Sequence, residues 1–159
     1  MPKPVFSLLE DPARKSAAAK QVLADLPQWF GIAESTAQYV RDCAQLPFWA
    51  AFCGQEPVGF IAGKPTSEKT LEIYVMGVCR QHQGCGIGTA LFMLLRSWAK
   101  ARGYAYLQVK TVQEGHYDCY DQTNAFYRRL GFCPLECFPT LWDAWNPCQV
   151  YVLFIGDNA

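Results

Sequence analysis

The feature that most restricts this chain is a strand, a glycine-rich joint and a helix in direct succession between Leu71 and Trp98. Leu71-Glu72-Ile73-Tyr74-Val75-Met76-Gly77-Val78 is rich in β-branched and aromatic residues and has the length of a strand. Ile87, Leu91, Leu94, Leu95 and Trp98 recur at helical spacing. Between them, Gln83-Gly84-Cys85-Gly86-Ile87-Gly88-Thr89 carries three glycines at alternate positions.

That joint has the physics of an anion cradle. Glycine allows positive φ and lets a ligand come close to the backbone. The first turn of a helix presents unpaired N–H groups and the positive end of the dipole. Together these suit a phosphate. A tight turn that binds nothing is the bland alternative. A dinucleotide fingerprint would need glycine at the sixth position from Gly84, where Thr89 stands. A P-loop would need a lysine near its end, and Gly88-Thr89-Ala90 has none.

The pattern Gln83-x-x-Gly86-x-Gly88 instead resembles the Q/R-x-x-G-x-G/A motif of the GNAT N-acetyltransferases. The longer phrase Val78-x4-Gln83-Gly84-x-Gly86-Ile87-Gly88-x-Ala90-Leu91 and the later Phe126-Tyr127-Arg128-Arg129-Leu130-Gly131-Phe132 strengthen the resemblance. It covers roughly residues 46 to 155 and is strongest over 71 to 132. It implies a single acetyltransferase domain over residues 1–159. Its fold class is α/β, a mixed, mainly antiparallel sheet of about seven strands flanked by helices. The central and fifth strands are expected to run parallel and splay apart for a pantetheine arm.

Composition is compatible with this. The 159 residues are 51% hydrophobic, enough for one domain with a core, and the aromatic content argues against disorder. Lys plus Arg and Asp plus Glu both number 14, so no charge steers the chain toward nucleic acid or an anionic membrane. No run reaches the ~18 apolar residues of a membrane span, and no signal-peptide layout opens the chain. A cytoplasmic location is the expectation. Eight cysteines form no C-x-x-C pair and only two histidines occur, so zinc-ligand spacing is missing and no metal is expected. The thiols are expected to be reduced, mostly as small buried hydrophobes, with Cys85 the most exposed.

Taken in order, Val5–Leu9 reads as a strand and residues 13–26 as an alanine-rich helix. Trp29 and Phe30 follow in a loop, as a hydrophobic plug or a substrate wall. Residues 35–44 read as a second helix with Ser35 as N-cap. Residues 48–53 and 58–63 flank Gly54-Gln55-Glu56-Pro57 as a hairpin. After the glycine-started helix, Gly103 is a C-terminal cap and residues 106–112 alternate as a strand. Thr123, Phe126, Tyr127 and Leu130 share one helical face that Gly131 ends. Residues 132–138 and 149–155 read as the last strands, with a loop between them carrying Trp142, Asp143 and Trp145.

The resemblance also implies site residues. Met76, Gly77 and Val78 would hold pantetheine through the backbone. Gln83, Gly84, Cys85, Gly86, Ile87, Gly88 and Thr89 would bind the pyrophosphate of acetyl-CoA. Tyr127 would protonate the departing sulfur, since a phenol stays protonated at neutral pH; core packing is its alternative role. Many relatives carry an asparagine seven residues before this tyrosine. Tyr120 stands there, and Asn124 lies three before, so both remain candidates for a cofactor contact. Glu72 occupies the strand position of a base glutamate, where partial burial would raise its pKa. Otherwise it is a solvated edge residue, and His116, another carboxylate or solvent takes the proton. Trp142 and Trp145 are candidates to stack on an acceptor's ammonium beside Asp143, or simply cap the sheet.

The expected activity is acetyl transfer from acetyl-CoA to a primary amine by direct attack in a ternary complex. Expected partners are a small-molecule or peptide amine and a second copy of the chain as a homodimer, with no nucleic acid or membrane. A non-catalytic acyl-CoA sensor and a nucleotide binder are the other classes.

Overall fold

The computed structural model describes residues 2–157. The elements run β1 (Val5–Leu9), α1 (Pro12–Ala24), α2 (Ala33–Cys43), β2 (Phe48–Cys53), β3 (Glu56–Pro65), β4 (Thr70–Val78), α3 (Ile87–Ala101), β5 (Tyr106–Val112), α4 (Asp118–Arg129), β6 (Cys133–Asp143) and β7 (Asn146–Phe154). A short 3₁₀ turn, Arg80–His82, leads to the glycines. One seven-stranded sheet is ordered β1-β2-β3-β4-β5-β7-β6. β4 and β5 are parallel, Thr70–Ile73 opposite Tyr106–Val109. β5 pairs antiparallel with β7 from Tyr106 to Val112. The α/β class and the mixed, mainly antiparallel sheet of seven strands are as the sequence implied.

By contact density the chain forms two compact units. One is the chain up to Lys64 with Tyr74–Trp98; the other is Pro65–Ile73 with the chain from Ala99 on.

In the first unit, α1 lays Ala18, Ala19, Val22 and Leu23 into a buried cluster with Phe48, Ala50, Phe60, Ala62 and Val75. Phe48 and Phe60 stack at 5.2 Å within it. Asp11 caps α1 by accepting from the Arg14 N–H at 3.2 Å, and Pro12 sits where its missing N–H costs nothing. Two glycines let helices close on the sheet. A Cβ on Gly77 would lie 2.8 Å from Leu26 Cδ1, beyond the end of α1. One on Gly59 would lie 3.1 Å from Ile87 Cγ2 at the start of α3. The sequence reading of Gly77 as a cofactor contact misses this packing role.

Several boundaries differ from the sequence reading. α1 stops at Ala24, and buried Leu26 lies in the following turn. α2 begins at Ala33, so Ser35 is inside it; Ile32 is the cap residue and gives no side-chain bond. On α3 the buried stripe is Ile87, Leu91, Phe92, Leu95 and Ala99, while Leu94 is exposed. Ile87, Leu91, Leu95 and Ala99 follow an i+4 ladder with Phe92 beside it, and Leu94 falls outside that face.

In the second unit, β5, β7 and β6 form the far side of the sheet and α4 packs on β5. The largest departure is β6. It continues to Asp143, and only Ala144 and Trp145 separate it from β7. Asp143 Oδ1 accepts from the N–H groups of Trp145 and Asn146, both at 2.9 Å, which closes a tight turn. The expected loop is therefore a hairpin. All eight cysteines are free thiols. Among the described residues no helix is long and apolar enough to cross a membrane.

Candidate active site

The glycine joint is built as a cradle. β4 ends at Val78, and the Cys79 N–H is tied back to the Val58 carbonyl at 2.8 Å. Arg80 is held by Asp25, just past α1: its N–H donates to Oδ2 at 2.7 Å and its guanidinium lies 3.7 Å from Oδ1. Gln83 Nε2 donates to the Val78 carbonyl at 2.9 Å. That bond closes the link and takes up one carbonyl expected to face pantetheine. Gly84 and Gly86 have φ of +77° and +84°, the left-handed region that favours glycine. A Cβ on either would meet nothing within 4 Å, so open space lies before the loop. The first α3 bond runs from the Ala90 N–H to the Gly86 carbonyl at 3.0 Å. The N–H groups of Ile87, Gly88 and Thr89 therefore precede the helical ladder. Gln83 through Gly86 are exposed, as is Thr89. Helix-start amides, the positive end of the dipole and open space together fit a pyrophosphate.

In the second unit, Tyr127 is 5% exposed on the buried face of α4. Its ring is walled by Phe126 at 5.5 Å, Phe132 at 5.7 Å and Tyr151 at 6.3 Å. Burial pushes its phenol pKa upward, which keeps the proton on the oxygen.

Asn124, one turn earlier, is fully buried. Its Nδ2 donates to the Val112 carbonyl at 2.9 Å and the Tyr120 carbonyl at 2.6 Å. Its Oδ1 accepts from the Tyr151 hydroxyl at 2.5 Å. This corrects the expectation of a cofactor contact through its side chain, whose two ends are both engaged inside the protein.

Glu72 is 6% exposed, which overturns the solvated-edge alternative. Its Oε1 lies 3.1 Å from the Lys110 ammonium on β5. The register places Gln108 opposite Glu72, so Lys110 is the diagonal neighbour two residues on. Glu72 is an ion-paired carboxylate rather than a free one.

The acceptor candidates belong to different units. Trp29 and Phe30 pack half-buried against the α1–α2 cluster, and the Phe30 ring stands edge-on to Tyr39 at 5.9 Å. Trp142 is exposed on β6 and Trp145, at 79%, is exposed in the β6–β7 turn. Asp143 is engaged by that turn, and the Asn146 amide holds its carboxyl below the usual range. His116 is exposed and His82 half-buried.

The sequence model of the acetyltransferase (GNAT) family matches residues 13–132, well over half the chain. The chain belongs to the GNAT family. Among curated proteins it is 32% identical to rat N-acetyltransferase 8F1 over 91 residues, covering 53% of this chain and 40% of that protein. Human N-acetyltransferase 8B is 28% identical over 114 residues, covering 67% of this chain and 50% of that protein. The matches thus span half or less of those relatives. The fold is shared with solved GNAT structures. An aminoglycoside 6'-N-acetyltransferase complexed with coenzyme A aligns with TM-score 0.78 and 19% identity, covering 98% of this chain and 99% of that one. The ribosomal-protein-S18-alanine N-acetyltransferase from Escherichia coli aligns with TM-score 0.76 and 16% identity, covering 99% and 97%.

Three residues of this GNAT chain escaped the sequence reading. Asp25 fixes the approach to the glycines, Lys110 pairs with Glu72, and Tyr151 bonds Asn124. Alternation on β5 put Lys110 on one face with Gln108, but only the strand register reveals Glu72 as its neighbour. Nothing local marks Asp25 or Tyr151.

Proposed function

We propose that this chain is an N-acetyltransferase that moves an acetyl group from acetyl-CoA to a primary amine by direct attack in a ternary complex. The observation that carries the reading is the open glycine cradle at the start of α3 in a chain of the GNAT family. Acetyl-CoA would supply a thioester whose thiol is the leaving group. The amides of Gly84 to Thr89 would hold its pyrophosphate, and the strand backbone at Met76 and Gly77 its pantetheine. Residues 1–159 would act as one catalytic domain.

Tyr127 is the proposed acid. Its covered ring fixes the phenol, and burial keeps on it the proton that it would donate. Glu72 is the base candidate, under one condition. The ion pair with Lys110 must open before Oε1 can take a proton from an acceptor. That same ion pair is what favours the second reading, a non-catalytic acyl-CoA sensor.

One experiment separates the two. Thiol release from acetyl-CoA is followed with a panel containing an alkylamine, an aminoglycoside, an amino-acid amide and a lysine peptide, beside calorimetric binding of acetyl-CoA. Amine-dependent release supports the transferase. Tight binding with no release for any amine selects the sensor. Binding of ATP or NAD in place of CoA would overturn both.

A further inference from the structure

The geometry points to Tyr151 and Asn124 as a positioning pair that sets the Tyr127 phenol, an inference that rests on the reading of Tyr127 as the proton donor. The rings of Phe126, Phe132 and Tyr151 wall that of Tyr127, with centroids at 5.5, 5.7 and 6.3 Å, and hold its direction. Phe126 and Phe132 carry no polar handle. Tyr151 does, and its hydroxyl donates to Asn124 Oδ1 at 2.5 Å while its ring lies 6.3 Å from that of Tyr127.

The pair fastens three elements at one point. Asn124 belongs to α4, Val112 ends β5 and Tyr151 lies in β7. The Asn124 amide bonds the Val112 carbonyl at 2.9 Å and its oxygen takes the Tyr151 proton. A buried asparagine is a costly way to fill a helix face. It carries desolvation and has poor helix propensity, and an apolar side chain would pack there without partners. A satisfied polar network fixes one arrangement where apolar packing tolerates several. The arrangement fixed here is that of the turn carrying Tyr127, three residues on. On its outer side Tyr151 also meets Arg128, whose guanidinium carbon lies 6.0 Å from the ring and which is itself ion-paired with Glu114. Tyr151 is thus held from two sides and Tyr127 rests on it.

Tyr151→Phe removes one hydroxyl and leaves the ring. With the most active amine of the panel, kcat is expected to fall about 10-fold, within the ~10²-fold that a 1 Å misplacement can cost. The KM for acetyl-CoA should stay unchanged. In protein labelled with ¹³C-tyrosine and carrying no ligand, the Tyr127 ring should flip faster than in wild type. The decisive step is the double variant. If Tyr151 acts through the Tyr127 hydroxyl, Tyr151→Phe costs nothing further in a Tyr127→Phe background. An equal fall in both backgrounds overturns the proposal, as does a Tyr151→Phe protein with wild-type kcat and ring flipping. If Tyr127→Phe itself is as fast as wild type, the proton-donor reading falls, and ring flipping still decides whether Tyr151 holds the ring. Asn124→Leu should reproduce the kcat loss; where it fails to fold, Tyr151→Phe carries the test alone.

Discussion

The glycine joint and the Tyr127 network solve opposite problems. The joint is open, exposed and made of backbone: positive-φ glycines, helix-start amides and clear space. The Tyr127 network is closed and made of side chains, with Asn124 fully buried and Tyr127 and Tyr151 nearly so. A backbone cradle keeps its donors whatever its side chains are, provided nothing blocks them. A side-chain network keeps its geometry only while each partner stays bonded. The first region should therefore be sensitive to added atoms, and the second to removed ones.

The largest effect is expected from adding atoms to the cradle. Gly86 sits at φ +84°, so any side chain there is strained by roughly 1–2 kcal/mol. Gly86→Asp also puts a carboxylate in the open space where a pyrophosphate would lie, and the repulsion is of similar size. Acetyl-CoA affinity should fall on the order of 10²-fold or more. The thermal midpoint should move little, because the loop is exposed. Calorimetry on the folded variant checks this, and unchanged affinity would remove the cradle from the mechanism.

Next is removal of one atom from the network. Tyr127→Phe keeps the ring among Phe126, Phe132 and Tyr151 and deletes only the hydroxyl. Turnover should drop ~10²-fold with acetyl-CoA affinity kept, the scale of general acid catalysis. A variant as fast as wild type would make Tyr127 a packing residue.

The same contrast explains what was legible in the sequence. Gly84, Gly86 and the helix after them are neighbours in the chain, so their spacing alone described the joint. The role of Asn124 depends on Val112, 12 residues away, and Tyr151, 27 away. No local pattern encodes partners that only the sheet order brings together. The Lys110 partner of Glu72 was hidden for the same reason, since it is adjacent only through the parallel register. Trp142 and Trp145 were placed in a loop, whereas β6 runs on to Asp143 and carries Pro139, and β7 takes in Pro147. On edge strand β6 and at the start of β7 prolines are tolerated, and the tight turn at Asp143 was missed.

A smaller effect tests whether the strand before the cradle is as closed as the cradle is open. Gly77→Ala would place Cβ 2.8 Å from Leu26 Cδ1 and 3.3 Å from Val22 Cγ1. Overpacking of this kind costs about 1–3 kcal/mol. Urea unfolding should show the loss with an unchanged slope, opposite in kind to Gly86→Asp, which is expected to lose binding and keep stability. A Gly77→Ala protein as stable as wild type would mean that α1 gives way freely.

The smallest expected effect concerns pH and belongs to the closed region alone. Burial raises the Tyr127 pKa above its ordinary value of 10.0. Above pH 10 the unfolded chain releases this proton while the folded protein still holds it. The folded state then binds more protons than the unfolded one, so stability falls as pH rises. The contribution is intact below pH 10 and is lost progressively above it. Tyr127→Phe removes one such group, so stability should decline less steeply with pH in the variant than in wild type above pH 10. The two slopes should match between pH 7 and 9. Urea midpoints across pH 7 to 11 give the comparison. Identical slopes above pH 10 would show that the Tyr127 hydroxyl ionises as freely in the folded protein as in the unfolded chain, and that its tip is open enough to behave as part of the surface.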